Sequence, residues 1–365
     1  MDTGTTDAVA SVPGRHTAAA ELLRGTGDAP QRLIAQITSC WRTQALQVAV
    51  QLDLPDRLAS GPQHPVHLAT ACECSIDGLE RLLRALCALD VCRELDDGRF
   101  ELTGAGDLLR REPSTGGPSL RAMVLWWGGP MWPMWADLAY SVKTGHSARA
   151  RQTGQFNYAF LENAPEVAAL FHATMQATTA LIAEEVAGLA TWHGARELVD
   201  VGGGHGELAV AIVAAHPNLH ATVLDRADAA ACATALFSHH GVAERARFLA
   251  GDFFVALPSG ADHYLLKSIL HNWDDAGCRR ILARCAEASA RGTTLLLVER
   301  VRPERLRPTP RDEALARTDL NMLAGLGGRE RSLSELAALL EPAGFTLVGA
   351  APLQHEFSVV EARRA

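Results

Sequence analysis

Two sets of residues in this chain have types and spacings that could do chemistry: carboxylates around a run of glycines, and a histidine close to further acids. The glycine run is Asp200-Val-Gly-Gly-Gly-His-Gly-Glu207. Glycines at 202, 203, 204 and 206 let the main chain take positive φ and let a ligand approach the backbone. Leu198, Val199 and Val201 before the run read as a buried parallel strand, and Leu208 to Ala215 behind it read as an apolar helix. The loop therefore opens a helix N-terminus, whose free N–H groups and partial positive charge suit an anionic group such as a carboxylate.

The dinucleotide fingerprint asks for Gly-x-Gly-x-x-Gly, but Glu207 stands where the third glycine should be, close to where a pyrophosphate would sit. Asp200 adds a second carboxylate at the mouth of the loop, better suited to a ligand carrying an ammonium group. Asp225 ends the next apolar run, Ala221-Thr-Val-Leu-Asp225, and is placed to accept hydrogen bonds from ribose hydroxyls. Together they point to a nucleoside with an amino-acid tail rather than to a diphosphate.

Further runs follow at regular intervals: His220 to Asp225, Ala246 to Asp252, His263 to Leu270 and Thr293 to Glu299, separated by helical stretches. This alternation predicts a doubly wound parallel sheet. Phe345 to Ala350 and Phe357 to Glu361 are too close in sequence for a crossover, so they pair as a hairpin and one of them runs antiparallel. Ligands of such sheets sit outside the carboxyl ends of the strands. Those ends carry Asp200, Asp225, Asp252 with Phe253, Lys267 leading into His271-Asn-Trp-Asp274, and Glu299. Phe253 can stack an adenine face while Asp252 accepts from its exocyclic amine.

At 365 residues the chain is long enough for two domains at about 100–200 residues each. Its net charge of −8, from 34 basic and 42 acidic residues, gives no electrostatic footprint for nucleic acid or an anionic membrane. Eight cysteines include no Cys-x-x-Cys pair, as expected of reduced thiols in a cytoplasm. Residues 1–29 lack an apolar core and read as a flexible tail, neither signal peptide nor membrane span. Residues 30–112 give amphipathic helices, a helix-turn-helix with Ser75 as N-cap, and a hairpin turning at Asp97-Gly98, which is a winged-helix pattern. Asp77, Glu80, Asp90, Glu94, Asp96 and Asp97 would make poor phosphate contacts, so this unit is expected to pair with a second copy of the chain rather than bind DNA. Residues 113–190 form a helical connector rich in Trp and Met near 123–135, and residues 191–365 form the nucleoside-binding domain. His205, His239 and His240 have no partner at metal-ligand spacing and are expected at the surface.

In this order behind a winged-helix segment, Asp200-Val-Gly-Gly-Gly-His-Gly206, Gly251-Asp-Phe-Phe254, Lys267-Ser-Ile-Leu-His-Asn-Trp-Asp274 and Gly327-Gly-Arg-Glu-Arg-Ser332 closely resemble the S-adenosylmethionine-dependent O-methyltransferases. The branch is the one shared by plant caffeate and isoflavone enzymes and by bacterial enzymes that tailor anthracyclines, mitomycins and related aromatic metabolites. The resemblance implies an α/β protein: a Rossmann-like methyltransferase domain, with a seven-stranded doubly wound sheet and an antiparallel terminal strand, plus an α-helical winged-helix dimerisation domain. It implies a cytoplasmic homodimer that uses S-adenosyl-L-methionine and no metal. Carried over by position, Gly202 and Gly204 line the methionine part of the cofactor beside Asp200 and Thr179. Asp225 holds the ribose, Asp252 and Phe253 the adenine, and Lys267 and Trp273 flank the adenosine. His271 matches the catalytic base, and Glu299 and Glu330 the two acids that orient it. Trp126, Phe156, Phe171, Met175, Asp319 and Met322 are the expected substrate neighbours. Asn272 stands where the family usually has Asp.

The chemistry agrees with those roles. A phenol near pKa ~10 is a poor nucleophile while protonated, and an imidazole near pKa ~6.5 is the side chain best able to take its proton at neutral pH. The alternatives are methyl transfer to carbon, which would survive loss of His271, and a cofactor-sensing winged-helix regulator, which would bind DNA at low salt.

Overall fold

The computed structural model describes residues 29–156, 158–162 and 164–365. The expected tail lies outside them except for Ala29, which opens the first helix.

The N-terminal unit begins with helices α1 (Ala29–Ile37) and α2 (Ser39–Gln51). The apolar spacing of Ile34, Ile37, Trp41 and Val48 runs on through both, but the helix is interrupted at Thr38. There the Thr38 hydroxyl donates to Ile34 O at 2.9 Å and the Ser39 hydroxyl to Gln36 O at 2.8 Å, side-chain bonds to the preceding turn that bend and weaken a helix. The short α3 (Leu54–Leu58), α4 (Pro65–Ala71) and α5 (Ile76–Ala88) follow, α5 capped by Ser75 Oγ accepting from Gly78 N. Strands β1 (Cys92–Glu94) and β2 (Phe100–Leu102) then pair antiparallel as the hairpin. Leu54, Leu68, Leu79, Leu83, Leu86 and Phe100 form the core of this unit. Leu33, Ile34, Ile37, Trp41 and Val48 of α1 and α2 instead remain exposed, Trp41 to 71%.

The connector contains α6 (Arg121–Gly128), which packs against both α2 and α7 (Pro165–Ala180). Its own core gathers Trp126, Met131, Met134, Phe160 and Leu161. Ser147 Oγ donates to Gly325 O at 2.6 Å and so ties the connector to the second domain.

In that domain the sheet runs in the order β5-β4-β3-β6-β7-β9-β8, from β3 (Glu197–Val201), β4 (His220–Asp225), β5 (Ala246–Ala250), β6 (His263–Lys267), β7 (Thr294–Glu299), β8 (Phe345–Pro352) and β9 (Ser358–Arg364). β3 to β7 are parallel, whereas β9 lies antiparallel between β7 and β8. Strand order reverses between β3 and β6, which creates a crevice at their carboxyl ends. The strands read as continuous apolar runs because both faces are covered. Leu198, Leu265 and Leu296 face one cluster with α8 (Glu207–Ala215) and α9 (Ala230–His239). Val199, Leu266 and Leu297 face the other with α10 (Asp275–Ala288) and α12 (Leu333–Leu340). Helix α11 (Pro310–Gly325) precedes the segment 326–332, which returns against the chain that follows β6 and β7.

Candidate active site

The glycine loop sits at the crevice between β3 and β6. Gly202 has φ +70°, and a Cβ on it would lie 2.5 Å from Ile269 Cδ1, so only glycine fits there. Gly204, φ +60°, turns its N–H onto Asp225 Oδ2 at 2.7 Å. Its Cβ side meets nothing within 4 Å, leaving the backbone open to a ligand.

Asp200, Gly202, Gly204, Asp225, Asp252, Phe253, Lys267, Trp273 and Thr179, expected at the cofactor, all line one cavity of about 840 Å³. That is the size range of small-molecule and cofactor sites. Asp200 is 1% exposed, and burial, reinforced by the charges of Asp225 and Glu207, pushes its carboxyl up to about 7. Burial likewise raises Glu207 to about 6. Asp200 Oδ2 and Glu207 Oε1 are buried with no hydrogen-bond partner among the described residues. Two such oxygens facing one cavity favour a ligand that brings positive charge and N–H donors. Burial, with Arg300 nearby, lowers the Lys267 amine to about 8, and its Nζ donates to Thr179 Oγ1 at 3.0 Å. The donor set therefore fits the expected cofactor, whose sulfonium and ammonium are both cationic and whose ribose offers hydroxyls to Asp225.

Phe156, Phe171 and Met175 line the same cavity. Trp126 does not; it packs against Phe171, ring centroids 5.4 Å apart, in the connector core. Asp319 and Met322 are also off this wall. Asp319 Oδ1 accepts from Glu330 N at 2.8 Å, and the Met322 carbonyl ends α11 by accepting from the Leu326 and Gly327 N–H groups. His239 and His240 are exposed as expected, but His205 is not at the surface. Its position after Gly204 turns it into the cavity, where its ring stacks on His172 with centroids 4.8 Å apart. His172, His205, Gln176 and Asp228 are among the cavity residues that the sequence reading did not name as ligand neighbours. Glu207, read from sequence as a carboxylate beside the ligand, lines the cavity as expected.

β6 ends at Lys267 rather than continuing to Leu270 as expected. Ser268 takes φ +57°, and the chain enters a single 3-10 turn, Leu270–Asn272, that carries His271. Glu299, at the end of β7, caps this turn: its Oε1 accepts from Ile269 N at 3.0 Å and Leu270 N at 2.9 Å. His271 Nδ1 lies 3.1 Å from Glu330 Oε1 and 3.8 Å from Glu299 Oε2. A carboxylate only accepts, so Nδ1 carries the proton and Nε2 is left as the basic nitrogen. Burial alone would lower the His271 value, but the charges of Glu330 and Glu299 outweigh it and raise it above 6.5. Burial also raises Glu299. These three buried residues bring their ligand-type atoms within 4.8 Å of one another. Glu299 Oε1 accepts from two backbone N–H groups and Glu330 Oε1 from the imidazole, while Glu299 Oε2 is buried with no hydrogen-bond partner among the described residues.

Comparison with known proteins agrees with this geometry. Residues 135–346 match the O-methyltransferase domain, and residues 34–112 match the O-methyltransferase dimerisation domain. The chain is 35% identical over 336 residues to mitomycin biosynthesis 6-O-methyltransferase of Streptomyces lavendulae, covering 90% of this chain and 93% of the relative. It is 34% identical to O-demethylpuromycin-O-methyltransferase of Streptomyces alboniger, covering 92% and 89%. A relative that methylates nitrogen, 8-amino-8-demethylriboflavin N,N-dimethyltransferase of Streptomyces davaonensis, is 32% identical over 87% of this chain and 90% of its own. Among solved structures, a mitomycin 7-O-methyltransferase superposes with TM-score 0.83 at 33% identity, covering 96% of this chain and all of that one. An O-methyltransferase from neocarzinostatin biosynthesis, solved with S-adenosylmethionine and 2-hydroxy-5-methyl naphthoic acid, gives 0.74 at 34% identity, covering 88% and 96%. With the glycine loop, the cationic-ligand cavity and the matching domains in place, this chain belongs to the S-adenosylmethionine-dependent O-methyltransferases.

Proposed function

We propose that the protein methylates a hydroxyl of a small aromatic natural product, with His271 as general base. The observation that carries this reading is the buried His271–Glu330 pair at 3.1 Å, which commits Nδ1 and leaves Nε2 to take a phenolic proton. The cofactor supplies an electrophilic methyl group on sulfur. The protein's part is to hold the acceptor oxygen in line and to remove its proton as the new bond forms. Nε2 accepts that proton, and Glu330 and Glu299 stabilise the resulting imidazolium. Phe156, Phe171 and Met175 give the cavity an apolar aromatic side for the acceptor ring.

The relatives named for mitomycin and puromycin support an aromatic hydroxyl as the target, and the flavin relative makes an aromatic amine the second acceptor to try. The test is transfer of a labelled methyl group to a panel of phenols, naphthols, hydroxy acids and aryl amines, with wild type and His271→Ala. His271→Ala is expected to lose about 10²–10⁴-fold in kcat on a phenol while retaining S-adenosylhomocysteine binding. Undiminished phenol turnover in that variant would sink the general-base reading, and transfer to aryl amines in preference to phenols by wild type would favour a nitrogen acceptor. Chelators are expected to leave the rate unchanged.

The protein works as a homodimer in this proposal. The exposed apolar face of α1 and α2 belongs to the segment matching the dimerisation domain, and a second copy is the partner that would cover it.

A further inference from the structure

His271 stands on one turn of 3-10 helix, too short to keep its geometry unaided. Glu299 holds the start of that turn through two N–H groups. Apart from Arg331, Leu270 O accepts from the Trp273 N–H at 3.1 Å and the Cys278 thiol at 3.2 Å, while Trp273 O has only the long thiol contact at 3.7 Å among the described residues. Arg331 reaches both carbonyls. Its Nη1 donates to Leu270 O at 2.9 Å and its Nη2 to Trp273 O at 2.8 Å, so the two accepting carbonyls bracket His271 and Asn272. Nη2 and Nε also donate to Asp275 Oδ1, at 2.8 and 3.2 Å. Arg331 is 4% exposed, so these bonds lie in the protein interior.

The rest of the segment closes on the same turn. The Arg329 N–H donates to His271 O at 2.9 Å. Gly328 approaches so closely that a Cβ on it would lie 2.0 Å from that oxygen. Glu330, between Arg329 and Arg331, is thereby brought onto Nδ1, and Asp319 holds its N–H from α11.

We propose that Arg331 is a positioning residue for the methyl-transfer step, clamping the 270–273 turn so that the His271 imidazole keeps its register against Glu330 and the acceptor oxygen. This rests on the reading of His271 as the base. Arginine suits the site because three of its nitrogens donate at once to two backbone carbonyls and one carboxylate. A guanidinium presents five donors in a fixed fork, whereas the three donors of an ammonium radiate from one atom and cannot bridge both carbonyls and the carboxylate. Arg331 touches neither acceptor nor cofactor in this scheme and acts through the turn. The charged groups facing His271 are Glu330 from the same segment, Glu299 from the end of β7 and Arg300 next to it.

The test compares Arg331→Lys and Arg331→Gln with wild type and His271→Ala. Measured across pH are kcat, acceptor KM and S-adenosylhomocysteine affinity. Turnover is expected to fall about 10-fold in the lysine variant and about 100-fold in the glutamine variant, because a base displaced by about 1 Å loses that much. KM and cofactor affinity change less than about threefold. The acidic limb of kcat moves down towards 6.5 as the imidazole loses its register with the carboxylates. Asp275→Asn, which weakens the anchor but keeps both carbonyl bonds, gives a smaller loss in the same direction and carries the test if Arg331→Gln does not fold. Wild-type kcat and limb in folded Arg331→Lys overturn the proposal. So does a loss confined to melting temperature and cofactor affinity with the limb unmoved. An active His271→Ala instead removes the general-base reading beneath it, whatever the Arg331 variants do.

Discussion

At the scale of single residues, the site raises two proton equilibria by opposite means, one by nearby charge and the other by burial. His271 is raised because two carboxylates outweigh its desolvation, so its acidic limb is expected above pH 6.5 in kcat profiles. Glu330→Gln removes one of those charges and should move the limb down while cutting kcat about 10- to 100-fold. A value raised on folding also means that the imidazolium stabilises the fold below 6.5, and that this contribution is lost as pH rises through the folded value. Asp200 is a carboxyl pushed up to about 7 by burial, so much of it is protonated near neutral pH before a cation arrives. A cationic cofactor binds the ionised form. Calorimetry in buffers of different ionisation heat should therefore detect proton release on binding near pH 6–7, weakening affinity below that window. Asp200→Asn should reduce the release, leaving the smaller part that Glu207 contributes near pH 6.

At the scale of elements, three short connections carry the chemistry, and each lies at the carboxyl end of a strand or across from one. The glycine loop follows β3, the His271 turn follows β6, and the 326–332 segment returns against that turn. The last approach is close enough to depend on a missing side chain. Gly328→Ala would place a Cβ 2.0 Å from His271 O, so the segments must part and Glu330 must leave the imidazole. Turnover is expected to fall about 10²-fold with cofactor binding largely kept, since the glycine loop lies elsewhere. Near-normal turnover in Gly328→Ala would mean that the turn can move without disturbing the base.

At the scale of the whole molecule, the connector links the helical N-terminal unit to the sheet domain. α6 packs on α2 at one side and on α7 at the other, and α7 supplies Phe171, Met175 and Thr179 to the cavity. Loss of the dimer is thus expected to reach the cavity through α2, α6 and α7. Ile37→Asp with Trp41→Glu puts two charges on the exposed apolar face and should yield a monomer by sedimentation. Acceptor KM should rise in that monomer more than cofactor affinity falls, because the glycine loop is held within the sheet domain. Retention of a dimer would place the subunit interface elsewhere.

The order of strands and helices, the antiparallel pair at the end and the convergence of the strand-end acids on one cavity were legible from sequence. They depend on local patterns: apolar runs of strand length, glycines where φ must be positive, and acids at strand ends. Asp200, Asp225, Asp252 and Lys267 were placed correctly on one cavity because strand ends in such a sheet converge by topology. Whether Trp126 faced a ligand or a core could not be decided locally, since an indole suits both; packing against Phe171 and Phe160 decided it. His205 read as a surface residue because nothing near it in sequence could bind it, and its neighbour His172 comes from α7. Glu299 and Glu330 were matched as a pair, yet their tasks differ: one caps the turn and the other bonds the imidazole. Their residue types are identical in sequence, and only the tertiary approach of β7 and the 326–332 segment separates the two tasks. The sequence by itself determined which residues reach the ends of the strands, because strand order follows local pattern. The register of His271 against its acids was decided by the tertiary structure, because it depends on Arg331 and Gly328 meeting a turn about 60 residues earlier in the chain.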